Sequence, residues 1–113
     1  MEVVGHFPRR DEVWLANLDA THGAEIKKTR PCLVISPDEM NLNLQTVVIA
    51  PMTTVTRPYP TRIAVRFQGK SGQVALDQLR AVDKQRLVRR LGKISEETAF
   101  AASATLVEMF TRA

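Results

Sequence analysis

Residues 21–31 read Thr-His-Gly-Ala-Glu-Ile-Lys-Lys-Thr-Arg-Pro, placing one acid (Glu25), three cations (Lys27, Lys28, Arg30), two hydroxyls (Thr21, Thr29) and an imidazole (His22) on a short stretch. This mixture suits the handling of an anion. Apolar runs flank it at residues 13–18 and 32–35, so the loop is held at both ends by segments that bury themselves. Loops on such rigid scaffolds are where binding and catalysis concentrate. A second pair of hydroxyls, Thr53 and Thr54, closes the chain's strongest β pattern. Each of these residues also has a plainer reading. Glu25 beside Lys28 fits a solvated pair of little energetic weight, Thr53 a turn residue, and His22 ordinary loop. Cys32, between Pro31 and Leu33, reads as a small core residue rather than a nucleophile.

The elements that must position these groups follow from periodicity. Residues 12–19 predict a strand with Val13, Leu15 and Leu18 inward and Trp14 on the other face, after a loose lead-in over residues 1–10. Residues 30–36 predict a second strand, with Pro31 tolerated at its start. Ser36 as N-cap, Pro37 at the first helical position and the acids Asp38 and Glu39 predict a turn or two of helix. Residues 45–54 are rich in β-branched side chains and predict the third strand. A polar loop over 55–61, stiffened by Pro58 and Pro60, leads to a half-buried strand at 62–67, where Ile63, Val65 and Phe67 alternate with Arg62, Ala64 and Arg66. A turn at 68–72 then sends residues 73–76 back as a fifth strand continuing toward Val82.

The basic run Lys84, Arg86, Arg89, Arg90 and Lys93 predicts a helical turn followed by a short strand, since Gly92 opposes an unbroken helix. Two readings of this run are open, a solvated face and an extension of a phosphate path. Ser95, followed by Glu96 and Glu97, predicts the N-cap of a final helix to about residue 111. Phe100, Ala104, Val107 and Phe110, joined by Leu106, form its expected apolar stripe.

At 113 residues the chain fits a single domain, 1–113, burying on the order of two thirds of its unfolded surface. Sixteen Lys and Arg against twelve Asp and Glu give a net charge of +4, and the pI is near 9.7, which favours a polyanionic partner. A lone cysteine excludes an intrachain disulfide and offers no metal-binding spacing, so a reducing compartment, the cytoplasm, is expected. The longest apolar run, residues 47–52, falls far short of the ~20 residues of a membrane span. His6 and His22 do not suggest an acid–base pair, and HExxH, P-loop and GxGxxG patterns are absent. The expected class is α+β: a small, twisted antiparallel sheet or half-open barrel closed by the terminal helix.

In order along the chain, Asp11-Glu12-Val13-Trp14-Leu15, Leu18-Asp19-Ala20-Thr21-His22-Gly23-Ala24-Glu25, Thr29-Arg30-Pro31, Ser36-Pro37, Pro51-Met52-Thr53-Thr54 and Val74-Ala75-Leu76-Asp77-Gln78 resemble the MazF/PemK family of toxin endoribonucleases, the mRNA interferases. The resemblance implies an SH3-like barrel of the PemK type, a homodimer, cofactor- and metal-independent cleavage of single-stranded RNA, and neutralisation by a cognate acidic antitoxin. It implies catalytic roles for Arg30, Thr53 and Glu25 and RNA contacts from Lys28, Thr54, Arg57, Tyr59, Asp77 and Gln78. One branch of the family uses a loop His, an Arg and an Asp. Here only Asp77 is matched, with Ala24 and Ala75 at the His and Arg positions, which favours the Arg/Thr form.

The implied reaction is attack of a ribose 2′-OH on its own 3′-phosphate, leaving a 2′,3′-cyclic phosphate and a 5′-OH. Arg30 would hold the phosphoryl oxygens in a fork, Glu25 would accept the 2′-OH proton, Lys28 or a water would protonate the leaving oxygen, and Thr53 would bind a phosphate oxygen. Tyr59 and Trp14 are candidate stacking residues, with a rim or dimer contact as the other reading of Trp14. Two other functions are compatible with the same barrel: a gyrase-poisoning toxin and a non-catalytic SH3-like RNA-binding module. The first carries a Trp-Gly-Ile tail, whereas no Trp follows Trp14 here.

Overall fold

In the computed structural model, which describes residues 7–19, 23–26 and 28–112, the apolar run Thr46–Thr53 (β3) is paired along both edges and sets the architecture. On one side lies Thr29–Val34 (β2), with Cys32 opposite Pro51 and Val34 opposite Ile49, and beyond it Glu12–Asn17 (β1). The other side is shared. Thr46 to Ile49 pair with Arg80–Asp83 (β6), and Met52 and Thr53 with Lys70–Ala75 (β5), which in turn pairs with Arg62–Phe67 (β4). Leu87–Lys93 (β7) covers the far edge of β1, and all these pairings are antiparallel.

The single strand expected from residue 73 toward Val82 is therefore two strands. A 3-10 turn at Leu76–Gln78 divides them, opposite Ala50 and Pro51, which lie between the two ladders. Pro51 has no N–H to give there, so the partner chain turns and the sheet curls. The result is a half-barrel with two apolar faces. One face gathers Val13, Leu33, Ala50, Met52, Val65, Val74, Leu76 and Ile94 under the helix Glu96–Phe110 (α2), whose Ala102 is buried against them. The other gathers Ala16, Leu18, Cys32, Val34, Val47, Ile49 and Val82, with Trp14 and Leu87 at its edge. Each fully buried Val, Leu or Ile stabilises by about 1.5–3 kcal/mol. Burial on both faces explains why β2 and β3 read as continuous apolar runs.

Several local expectations are corrected. Leu15 is only half-buried, because register shifts against β7 put Val13 and Ala16, rather than alternate residues, in the core. The short helix Asp38–Asn43 (α1) has Pro37, not Ser36, at its N-cap. The Ser36 hydroxyl instead turns inward, accepts from the Val48 N–H and bonds the buried Asn41, whose side-chain amide donates to the Ser36 carbonyl. Ser95 does cap α2, accepting from the Thr98 N–H at 3.2 Å.

Of the stripe expected to bury α2, only Leu106 meets the sheet, together with Ala99, Ala102 and Met109, whereas Phe100, Val107 and Phe110 face outward, 73, 66 and 70% exposed. The basic run, by contrast, is laid out as expected: Lys84–Arg86 is a 3-10 turn and the rest lies in the strand β7. Arg86 donates to the Asn17 and Asp19 carbonyls, and Arg90 pairs with the buried Glu12, which also accepts from the Trp14 indole. No helix among the described residues is long and apolar enough to cross a membrane.

Candidate functional site

The strands deliver two of the predicted residues to the same point. Cys32 lies opposite Pro51, and Arg30 and Thr53, each two residues farther toward the same end of these strands, line a common cavity. Arg30 Nη1 donates to the Met52 carbonyl at 3.5 Å. Thr53 is 8% exposed, and its Oγ1 accepts from the Val55 N–H at 3.1 Å, leaving the hydroxyl proton for donation. The strand end is fixed from the other side by Gly72: a Cβ there would stand 2.5 Å from the Thr53 carbonyl oxygen. No side chain fits at this position without moving Thr53.

The loop between β1 and β2 is closed at its base by the Leu18 N–H donating to the Lys28 carbonyl at 3.1 Å. Lys28 takes a left-handed φ of 76°, uncommon for a residue with a Cβ and found where surrounding structure enforces it. Farther out, the Ile26 N–H donates to Gln78 Oε1 at 2.6 Å, pinning the loop to the turn at Leu76–Gln78. His22, Thr21, Lys27, Ala20 and His6 lie outside the described residues.

Between these elements opens a cavity of about 690 Å³. Glu25, Arg30 and Thr53 line it, as do Lys28, Thr54, Arg57, Tyr59, Asp77 and Gln78, so the predicted residues described share one cleft. Ala24 also lines it. The lining holds four cations (Lys28, Arg30, Arg57, Arg62) against two carboxylates (Glu25, Asp77), a positive balance of two. Such a cleft concentrates an anion. Among the described residues, no group of three or more His, Cys, Asp or Glu is placed to hold a metal ion. Cys32 is buried, and burial pushes its thiol up to about 12, so it is a core residue beside the cleft rather than a nucleophile in it.

Sequence reasoning missed two contributors. Gln73 clamps the far loop, accepting from the Arg57 N–H at 3.0 Å and donating to the Arg57 carbonyl at 3.1 Å. Arg62, read from alternation as an outward strand residue, has a side chain only 7% exposed and is bound bidentately to Asp77, Nε to Oδ1 at 2.7 Å and Nη2 to Oδ2 at 3.1 Å. Thr61 Oγ1 donates to Asp77 Oδ1 at 3.0 Å, and the Tyr59 ring centroid lies 5.1 Å from the guanidinium. The Arg62 hydrogen bonds hold the Asp77 carboxyl below the ordinary carboxylate range, against the opposing effect of burial, and the same bond raises Arg62. In the β4–β5 ladder Arg62 stands directly opposite Ala75. The Arg62 guanidinium thus reaches Asp77 from the strand beside position 75.

Comparison with known proteins bears on what this cleft does. A sequence profile described as "PemK-like, MazF-like toxin of type II toxin-antitoxin system" matches residues 9–110. Endoribonuclease MazF of Staphylococcus epidermidis is 32% identical over 94 residues, covering 78% of each chain. Endoribonuclease MazF9 of Mycobacterium tuberculosis is 29% identical over 97 residues, covering 77% of this chain and 82% of that one. Among solved structures, MazF from Deinococcus radiodurans superposes with a TM-score of 0.81 at 24% identity, over 92% of this chain and 96% of that one. A mycobacterial endoribonuclease in complex with its cognate antitoxin superposes at 0.78 and 23% identity, over 94% and 99%. At these identities the two structural likenesses speak for the fold: a curled antiparallel half-barrel closed by a C-terminal helix.

Proposed function

The chain belongs to the PemK-like, MazF-like family of type II toxin–antitoxin toxins, and from that premise we propose that it is an endoribonuclease cutting single-stranded RNA in the cleft of Arg30 and Thr53. The observation that carries this reading is the convergence of Arg30, Thr53, Lys28 and Glu25 on one positively balanced cavity. The substrate supplies the nucleophile, a 2′-OH adjacent to the scissile phosphate. The protein's tasks are to hold that phosphate in line, to stabilise charge as it builds on the phosphoryl oxygens, and to move two protons.

Arg30 serves the second task, since a guanidinium grips two oxygens at once and stays charged at any working pH. The buried Thr53 hydroxyl donates to a phosphoryl oxygen from a fixed strand end. Glu25 takes the 2′-OH proton, and Lys28 or a water protonates the departing 5′ oxygen. Incubation with a defined single-stranded RNA in EDTA, followed by end mapping, tests the reading. Cleavage should persist under chelation and leave 2′,3′-cyclic phosphate and 5′-OH ends. Binding without cleavage would instead indicate an RNA-binding module, and loss of cleavage on chelation would exclude this chemistry.

The reading extends to partners. A mycobacterial relative of this fold is solved with its cognate antitoxin, and a cationic cleft fits an acidic, largely disordered segment that folds as it binds. We place a homodimer and such an antitoxin with this chain. Light scattering at micromolar concentration should give twice the 12.6 kDa of one chain. The antitoxin should displace RNA, less effectively as salt rises. A monomeric mass, or inhibition with RNA still bound, would count against the respective partner.

A further inference from the structure

The lining of the cleft holds two chemically different groups of side chains. Arg30, Lys28 and Thr53 suit a phosphate. Asp77 is a carboxylate that accepts hydrogen bonds only. Its carboxylate cannot turn away, because Arg62 holds both oxygens and Thr61 holds one. Yet 31% of the side chain remains exposed, in a residue that lines the cavity. Beside it, Gln78 has its Oε1 committed to the Ile26 N–H, which leaves the amide nitrogen as donor. Tyr59, 47% exposed, lines the same cavity and sits against Arg62.

A stacking face, a rigid acceptor and an adjacent donor are what a nucleobase edge requires. Resting on the RNA-cleaving reading of this cleft, we propose that Asp77, clamped by Arg62 and Thr61, is a specificity-determining residue that selects a base bearing an exocyclic amino group and rejects uracil. Cytosine offers an N4 amino group to such a carboxylate, and adenine and guanine carry amino groups of their own. Uracil presents a carbonyl oxygen where cytosine has its amino group, so two acceptors would meet. The lowered proton affinity of Asp77 fits this role, because a carboxylate kept ionised does not become a donor in mild acid. Arg62 is then a positioning residue, acting on RNA through Asp77.

The test is cleavage of a degenerate single-stranded RNA pool by the full-length protein, with sequencing of the 5′-OH ends. At one fixed position relative to the cut, uracil should be depleted on the order of 10-fold. Asp77→Asn, whose amide can also donate, should lose that depletion while keeping preferences elsewhere. A second arm uses only the unaltered protein: a substrate with the amino group deleted from the selected base, purine for adenine or 2-pyrimidinone for cytosine, should be cleaved about 10-fold more slowly. Uracil tolerated at every position, an unchanged profile in Asp77→Asn, or full-rate cleavage of the substrate lacking the amino group would each overturn the subsite while leaving RNA cleavage intact. A protein that cleaves no RNA removes both.

Discussion

Arg30→Lys is expected to slow single-turnover cleavage of RNA by about 10²-fold or more while changing RNA affinity much less. Lysine keeps the positive charge but presents a point rather than a planar fork. An arginine that merely attracts the strand would tolerate the exchange, whereas one that grips two phosphoryl oxygens in the transition state would not. The position favours the second role: Arg30 lies at the start of β2, and its guanidinium donates to the Met52 carbonyl next to Thr53. Arg30→Ala should be slower still, and Thr53→Ala should lose a smaller but clear factor. None should unfold the domain, since the core clusters contain neither residue. Single-turnover rates, RNA affinity and thermal melting for each variant make the comparison. Near wild-type cleavage by Arg30→Lys would pass the catalytic burden to Glu25, Lys28 or His22.

Replacing one ribose by deoxyribose, at the nucleotide whose 3′-phosphate is cut, should reduce cleavage to background. In the proposed reaction this single hydroxyl is the nucleophile, held beside the phosphate by the covalent frame of its own ribose. Riboses elsewhere in the strand should be replaceable with modest loss, and a full DNA copy should bind in the cationic cleft without being cut. Cleavage of the substituted bond, with a 3′-phosphate free of any cyclic intermediate, would mean that water is the attacking group.

Strand order and the members of the cleft were legible to different degrees, for physical reasons. The alternation of Ile63, Val65 and Phe67 with polar residues identifies β4, and Ser95 before two acids identifies the start of α2, because both signals are local. The buried side of α2 was not legible. Phe100, Val107 and Phe110 recur at helical spacing as well as Ala99, Ala102, Leu106 and Met109, and periodicity alone does not say which stripe meets a sheet. Arg62 escaped for a related reason. Alternation puts it on the outward side of β4, and only the ladder that sets it against Ala75 brings it to Asp77. Division of the expected fifth strand depends on a handover along β3, where Pro51 interrupts the supply of donors to a partner distant in sequence.

The burial of Cys32 makes the molecule its own reporter. Its thiol is wholly shielded, between the β1 and β3 neighbours of β2, two residues from Arg30 and bonded to the Arg30 carbonyl at 3.5 Å. An alkylating reagent reaches the sulfur only in molecules where the apolar cluster around Cys32 has opened. The rate of thiol capture thus counts the fraction of chains in which the core behind β2, the strand that carries Arg30, is open at a given moment. Anything that binds the assembled cleft lowers that rate in proportion to its occupancy. One buried sulfur converts occupancy of the site, by nucleic acid or by a protein inhibitor, into a chemical clock that needs no label and no turnover.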